Sequence, residues 1–531
     1  MNISKRILKT IFVIILISLL VGCRVSESPD TKQSEPDYWP ITGWRTTTPE
    51  EQGMDSEILA KMVEFILKRN YDIHSVTVIR NGYLVADVTI HPFESNTMHD
   101  LASASKSITS ALIGIAIRQG YINNVDQTVL SIFPERSAAN LDANKKKITL
   151  EHLLMMASGL DCRDNINRWK RLFQMMETDD WVQYMLDLPM AEPPGTQFEY
   201  CNGNSFLLSA IIQETTGVNT LNFAEENLFG PLGIYDVIWP SNPQGISMGM
   251  GSLKMKPHDM AKIGYLYLNE GRWEDEQIIS ADWVSASSHK HITDPYGYGY
   301  GYQWWILNGG IYHAAGKGGQ YIYVIPEHEM VVVFTSNLRS GGYSVISVLL
   351  DDIIAAVQSS KPLPSNPNGV ELLKSKIQQA GQDQVESGPI PPLSEIAKII
   401  SGQTYILDPN PFPLALQSVS LTFQDEGEAF LDLTFDLDEL YFFTDNPQIY
   451  WTDMKRPVGL DNVFRFSPGF YGITMGMKGR WVSDDTFVIY IDNIGYIGHD
   501  SYKFTFIGEK INLETKTDFG GITSINGRLE E

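Results

Sequence analysis

The sequence predicts an α+β domain over residues 41–358, followed by an all-β domain, barrel- or sandwich-like, over residues 396–531. Three observations carry this expectation. Strand-like runs open and close the first region with helical periodicity between them, which suggests one antiparallel sheet closed by the region's two ends beside a helical subdomain. Short strand-like runs separated by turns fill the second region. The length of 531 residues also exceeds what a single hydrophobic core sustains.

The elements follow in chain order. Lys5, Arg6 and Lys9 precede an apolar run from Ile11 to Val21. A short apolar stretch behind positive charge reads as an export signal, too short to span a bilayer comfortably. Its end, Leu20-Val21-Gly22-Cys23, resembles a bacterial lipobox. That resemblance implies a signal peptide over residues 1–22, lipidation of Cys23 and a flexible tether over residues 23–40. The expected location is the bacterial cell envelope, with the folded domains outside the cytoplasm and membrane contact through that lipid only.

Val76–Ile79 and Leu84–Val88 flank Asn81-Gly82, a favoured two-residue hairpin turn. Ser105 to Gln119 reads as a helix, with Ile108, Leu112 and Ile115 at helical spacing and Gly120 as a stop. Leu150–Ala157 and Ser205–Thr216 also read as helices, and Gln320–Ile325 and Met330–Ser336 as strands. Residues 359–395 are rich in Ser, Pro, Gln and Gly, a linker with one short helix near Glu371–Ala380. Ser418–Phe423, Ala429–Phe435, Val463–Phe466, Thr486–Ile491 and Tyr502–Phe506 supply the strands of the second domain. The 64 acidic against 40 basic side chains give a formal charge of −24, a field that repels nucleic acid.

Two short constellations could do chemistry. In Ser103-Ala104-Ser105-Lys106, residues three apart at a helix start share a face, so the Lys106 amine can reach the Ser103 hydroxyl. A serine needs a base beside it, and a lysine serves if burial lowers its pKa. The same spacing recurs at Ser287–Lys290, in a polar stretch without the long amphipathic helix. In Tyr200-Cys201-Asn202, a tyrosine lies between a Pro-Gly turn and a helix start, where it can project into a cleft as a general base. Tyr121-Ile122-Asn123 and Tyr267-Leu268-Asn269 match the triplet but lack that setting.

Together with Ile148–Leu154, Ser158–Asp161, Met248–Leu253, Pro257–Ala261 and Tyr298–Trp304, these motifs resemble the serine β-lactamase family over residues 45 to 355. That family includes class C β-lactamases, DD-peptidases, esterases and 6-aminohexanoate-dimer hydrolases. The resemblance implies a β-lactamase/transpeptidase-like fold and Ser103 as the acylated nucleophile. It also implies that Lys106 helps deprotonate it, that Tyr200 is the base and proton shuttle, and that Asn202 orients substrate or Lys106. It implies no cofactor and no metal.

One motif departs from the family. A Lys- or His-x-Gly triplet is expected on the strand facing the serine, and here the aligned triplet is Ala314-Ala315-Gly316. The missing cation would bind a β-lactam or D-Ala carboxylate. Hydrolysis of another small amide or ester, esterase-like or 6-aminohexanoate-dimer-hydrolase-like, is therefore the expectation. Gly316 and Lys317 are candidate substrate-binding positions, with backbone N–H groups near Ser103 and Lys317 as an oxyanion hole. His313 and Lys317 flank the gap, and strand alternation leaves open which points inward. If the resemblance holds, Cys162 and Cys201 lie in loops at the cleft, and a disulfide between them would brace Tyr200.

Other polar residues read as structural. His152 and His258 lack Cys or His partners at ligand spacing. Asp161, Asp164 and the Glu177–Asp180 cluster fit solvated loops, while the Tyr296–Trp305 aromatics either wall the cleft or fill the core. Two rival functions stay open at this stage: a non-catalytic penicillin-binding-like envelope protein that keeps the fold for ligand recognition, and an adhesin or scaffold dominated by its β-domain.

Overall fold

Asn81 and Gly82 have φ of 49° and 81°, the pair of left-handed residues whose twist suits a tight hairpin. They join β1 (Ile73–Arg80) to β2 (Tyr83–Thr89). Every residue of β1 is buried, as expected of a strand flanked on both sides. Its second neighbour comes from the far end of the domain. Further strands are β3 (Ile292–Thr293), β4 (Gly299–Tyr300), β5 (Trp305–Ile306), β6 (Tyr312–Gly316), β7 (Gln320–Ile325) and β8 (Met330–Ser336). They form an eight-stranded sheet in the order β2-β1-β8-β7-β6-β5-β4-β3. The β1–β8 pairing is antiparallel, with Val76 opposite Phe334 and Val78 opposite Val332.

The computed structural model describes residues 36, 38–162, 170–338, 342–383, 387–390, 392–410, 416–424, 427–435, 455–468, 474–517 and 521–531. The export segment and Cys23 lie outside these residues, as does Asp164.

Strand alternation divides the sheet's apolar side chains between two cores. Val331 and Val333 face one, Val332 and Phe334 the other. The second core is covered by α1 (Ser56–Arg69). The first core holds α2 (Ser105–Arg118), α3 (Asn202–Thr216) and α4 (Pro257–Leu268), the helical matter expected between the strands. The helix expected over Leu150–Ala157 stops at Leu154, because Met156 turns the chain with φ 57°. After β8, α5 (Gly342–Ala355) returns to the second core.

The stretch read as a linker carries α6 (Pro367–Ala380). Asn366 caps it by accepting the Gly369 N–H, and Pro367 sits at its first position, where the missing donor costs nothing. Leu373, Ile377 and Ala380 pack into the second core, and Lys376 reaches Glu64 of α1 at 3.4 Å. The segment is thus partly integral to the first domain.

Beyond Glu395–Ile400, a short helix capped by Ser394, the chain is all β. Its strands are β9 (Gln403–Leu407), β10 (Leu416–Phe423), β11 (Glu428–Phe435), β12 (Arg456–Gly459), β13 (Arg465–Pro468), β14 (Thr474–Ser483), β15 (Thr486–Asn493), β16 (His499–Ile507), β17 (Lys510–Thr517) and β18 (Gly521–Leu529). Their order is β12-β11-β10-β9-β18-β17-β16-β15-β14-β13. A parallel bridge between Gly459 and Lys478 joins β12 to β14. That bridge closes nine of the strands into a barrel and decides against a sandwich. Val419, Leu421 and Phe423 of β10 and Ala429, Leu431 and Leu433 of β11 alternate into its core.

Candidate active site

The chain enters the site through a strained turn. Ala102 has φ 44°, a left-handed conformation that costs a residue with a Cβ about 1–3 kcal/mol. What holds it is local: the Ala102 N–H donates to Asp100 Oδ1 at 2.7 Å, and the Leu101 N–H donates to the Leu253 carbonyl at 2.8 Å. His99–Asp100 pairs with Lys254–Met255 as a two-stranded ladder. The turn delivers Ser103, half-buried, at the mouth of α2.

Lys106 lies in the first turn of α2 and is 1% exposed. Its Nζ donates to Ser103 Oγ at 2.9 Å and to Asn202 Oδ1 at 2.9 Å, and also to the Met250 carbonyl. An ammonium has three donors, and these acceptors match them. A neutral amine in the same place can keep its bonds to Asn202 and Met250 and turn its lone pair toward the Ser103 hydroxyl. That geometry suits proton abstraction. The Met250 carbonyl was not legible in the sequence, because a backbone acceptor leaves no side-chain signal.

Tyr200 places its ring centroid 5.1 Å from Lys106 Nζ. The Glu199 N–H binds the Met156 carbonyl at 2.8 Å, and Cys201 precedes α3 as its cap residue. Cys201 is joined to Cys162 by a disulfide across a sequence separation of 39. The neighbouring Phe198 stacks edge-on to Tyr300 at 5.2 Å. Burial drives the Tyr300 phenol well above its ordinary pKa, and the charge of Tyr200 adds to that rise. Tyr300, Tyr302 and Trp304 fill the core, one of the two expected roles of the aromatic run, whereas Tyr296 and Tyr298 are exposed.

Closing a loop of this length removes chain entropy worth up to about 4 kcal/mol from the unfolded state. Cys162→Ser is therefore expected to lower the unfolding free energy by an amount approaching that figure, read as a lower denaturant midpoint. An unchanged midpoint in equilibrium unfolding would show that the bridge adds no stability.

Facing the serine turn, β6 carries the altered third motif. Ala314 packs into the first core, on the side of α2, and is fully buried. His313 points to the opposite face, where its ring lies 4.7 Å from Tyr323 and 5.6 Å from Tyr321. Burial pushes its pKa down to about 3, so it is no substitute for the missing cation. Gly316 abuts the serine turn itself: a Cβ there would stand 2.2 Å from the Leu101 carbonyl oxygen, which excludes every side chain. Lys317, next along, is exposed.

Gln303 is a residue that sequence reasoning missed. It is 2% exposed with φ 64°. Its carbonyl accepts from Ser107 of α2 and its Oε1 from Ser205 of α3, each at 2.6 Å. Its amide donates to the carbonyls of Leu153 and Leu154. One residue, through its carbonyl to α2 and its side chain to α3, thereby links the two site helices. Its position between Tyr302 and Trp304 disguised it as part of an aromatic wall.

The other polar residues have structural partners. His152 completes a capping box with Thr149, and His258 Nε2 meets Asp87 Oδ2 at 2.9 Å. Asp161 pairs with Arg171 at 3.2 Å. Asp180 pairs with Arg136 at 2.7 Å and caps the helix Trp181–Asp187. Among the described residues, no group of three or more His, Cys, Asp or Glu could hold a metal ion.

Residues 68–348 match the family model described as Beta-lactamase. The 6-aminohexanoate-dimer hydrolase of Paenarthrobacter ureafaciens is 23% identical over 283 residues, 49% of this chain and 71% of that protein. The lovastatin esterase of Penicillium rubens is 28% identical over 189 residues, 32% of this chain; the chain spans only 46% of that esterase. Among solved structures, the octameric penicillin-binding protein homologue from Pyrococcus abyssi aligns with 88% of this chain and 99% of its own, at 18% identity and a TM-score of 0.46.

Proposed function

The chain belongs to the Beta-lactamase family, and from that premise we propose that it is a serine hydrolase, opening an amide or ester bond of a small substrate through an acyl-enzyme on Ser103. The observation that carries this reading is Lys106 Nζ at 2.9 Å from both Ser103 Oγ and Asn202 Oδ1. A binding protein has no need of an amine aimed at a hydroxyl.

In the proposed first step, the Ser103 proton passes to Lys106 or, through it, to the Tyr200 phenolate, as Oγ attacks the carbonyl carbon. The C=O electrons move onto oxygen, where backbone N–H groups near Ser103 and Lys317 stabilise them. Collapse expels the amine or alcohol, which takes the stored proton. Water then gives a proton to the same base and attacks the acyl carbon, and collapse of that adduct expels Ser103 Oγ, which takes the proton back from the base. Asn202 orients Lys106 throughout, supported by their direct hydrogen bond.

The substrate class follows from Ala314. With alanine where the family motif has a cation, a substrate carboxylate gains no charged partner, an interaction worth about 1.5–3 kcal/mol. Esters are therefore favoured over β-lactams and D-Ala peptides. Linear amides of the 6-aminohexanoate-dimer type, whose own carboxylate lies far from the scissile bond, are favoured by the likeness to the Paenarthrobacter ureafaciens hydrolase. The test is a substrate panel on protein lacking residues 1–23: p-nitrophenyl esters, 6-aminohexanoate dimer, nitrocefin and D-Ala-D-Ala peptides. Turnover of the first two at least about tenfold faster than the last two is the expected result. Faster nitrocefin turnover overturns the substrate class. No turnover at all, with no fluorophosphonate adduct on Ser103, overturns the enzyme.

A further inference from the structure

The barrel reaches the back of the nucleophile turn through one loop, residues 494–498 between β15 and β16. The Gly495 carbonyl accepts the Asp100 N–H at 2.7 Å. Gly495 has φ 81°, and a Cβ there would stand 2.0 Å from the Met98 carbonyl oxygen, so only glycine permits this approach. Next to it, the Tyr496 hydroxyl accepts from Lys254 Nζ, and that ammonium also stands 4.2 Å from the Tyr496 ring centroid. On the other flank, Ile497 touches the turn that follows β6: a Cβ on Gly318 would lie 2.9 Å from Ile497 Cγ2. Gly498 and Asn337 complete the seat, with the Gly498 N–H donating to Asn337 Oδ1 at 2.9 Å.

Lys254 is 1% exposed and sits opposite Asp100 in the short ladder. Burial lowers its pKa to about 8, against the opposing pull of the Asp100 charge. Asp100 in turn holds the Ala102 N–H. A buried ammonium needs acceptors, and Tyr496 offers both a hydroxyl and a ring face. Without that hydroxyl, the ammonium would lean toward the Asp100 carboxylate and draw it off its alignment with the Ala102 N–H. The left-handed turn before Ser103 would then lose one of its two fastenings, keeping the Leu101 N–H bond to the Leu253 carbonyl.

We infer that Tyr496 is a positioning residue. Through Lys254, Asp100 and Ala102, the barrel holds Ser103 in its attacking posture, and so contributes to the bond-making step rather than to substrate entry. This rests on the serine-hydrolase reading of the same site.

The experiment uses the full chain with Tyr496→Phe, Lys254→Met and the double variant. It reads steady-state hydrolysis of a p-nitrophenyl ester, the rate of fluorophosphonate labelling at Ser103, and the melting temperature. In Tyr496→Phe, kcat and labelling rate are expected to fall about tenfold, with KM and melting temperature close to the parent's. The double variant is expected to be no slower than the slower single, because both act through one chain of contacts. Parent-like labelling in Tyr496→Phe overturns the inference. So does a rise in KM alone, which would mark the loop as a substrate lid, or a rate loss that only follows loss of folded protein. Losses that multiply in the double variant also overturn it. A parent protein that neither turns over ester nor labels defeats the serine-hydrolase reading itself, and the inference with it.

Discussion

Ser103→Ala is expected to lower kcat by roughly four to six orders of magnitude while leaving the protein folded. The hydroxyl is the only atom group removed, and its hydrogen-bond partner keeps Asn202 and the Met250 carbonyl as acceptors. Folding stability should stay within about 1 kcal/mol of the parent. Ester turnover, intact-mass detection of a fluorophosphonate adduct and a denaturant melt read the three quantities together. Parent-like turnover in this variant would end the assignment of Ser103 as nucleophile. A large loss of stability would mean that Ser103 is part of the scaffold.

Lys106→Met should come close in severity, with a loss of roughly 10²–10⁴ in kcat, the range expected when a positioned proton acceptor disappears. Its effect on stability has two opposing parts. Asn202 Oδ1 and the Met250 carbonyl each lose a buried donor, at about 1–3 kcal/mol apiece. Removing a buried ammonium recovers several kcal/mol of desolvation. The net change in the denaturant midpoint is therefore expected to be small. The sharper reading comes from the pair: Ser103→Ala with Lys106→Met should be no slower than Ser103→Ala alone, since residues that act as a unit are not additive. A Lys106→Met protein within tenfold of the parent would remove the amine from the mechanism.

Much of the first domain could be read directly. The Asn81-Gly82 turn, the strands Gln320–Ile325 and Met330–Ser336, and the stop of α3 at Gly217, with φ 77°, all lie where local rules put them. In each case one local cause is sufficient: a turn needing positive φ, or a run of buried alternation. The barrel was read in part, because several strands mask their period. β14, with Gly476 and Gly479 among methionines, has low strand propensity, and β17 offers Ile511 and Leu513 as its apolar residues in an otherwise polar stretch. The α6 helix begins earlier than expected because its start depends on the Asn366 cap and Pro367, which a Pro-rich linker equally contains.

The candidate site divides the same way. Ser103 and Lys106 share a helix face, so their closeness is a matter of spacing. Bringing Asn202 and Tyr200 to the same amine takes tertiary structure, and it was the family resemblance that suggested it. Gln303, the Met250 carbonyl and Tyr496 act through contacts between segments distant in sequence. No local pattern announces them. The orientation of His313 likewise needed the actual pleat of β6.

The partnership of β1 with β8 has a kinetic consequence. The two strands pair Ile73 with Ser336, about 260 residues apart, and loop closure over such a distance is slow relative to local helix formation. Until β8 arrives, Val76, Val78 and Ile79 form an apolar edge with unsatisfied backbone groups, a template for intermolecular pairing. Refolding yield should therefore fall steeply as protein concentration rises, with aggregation beginning at the very strand that the native state hides most completely.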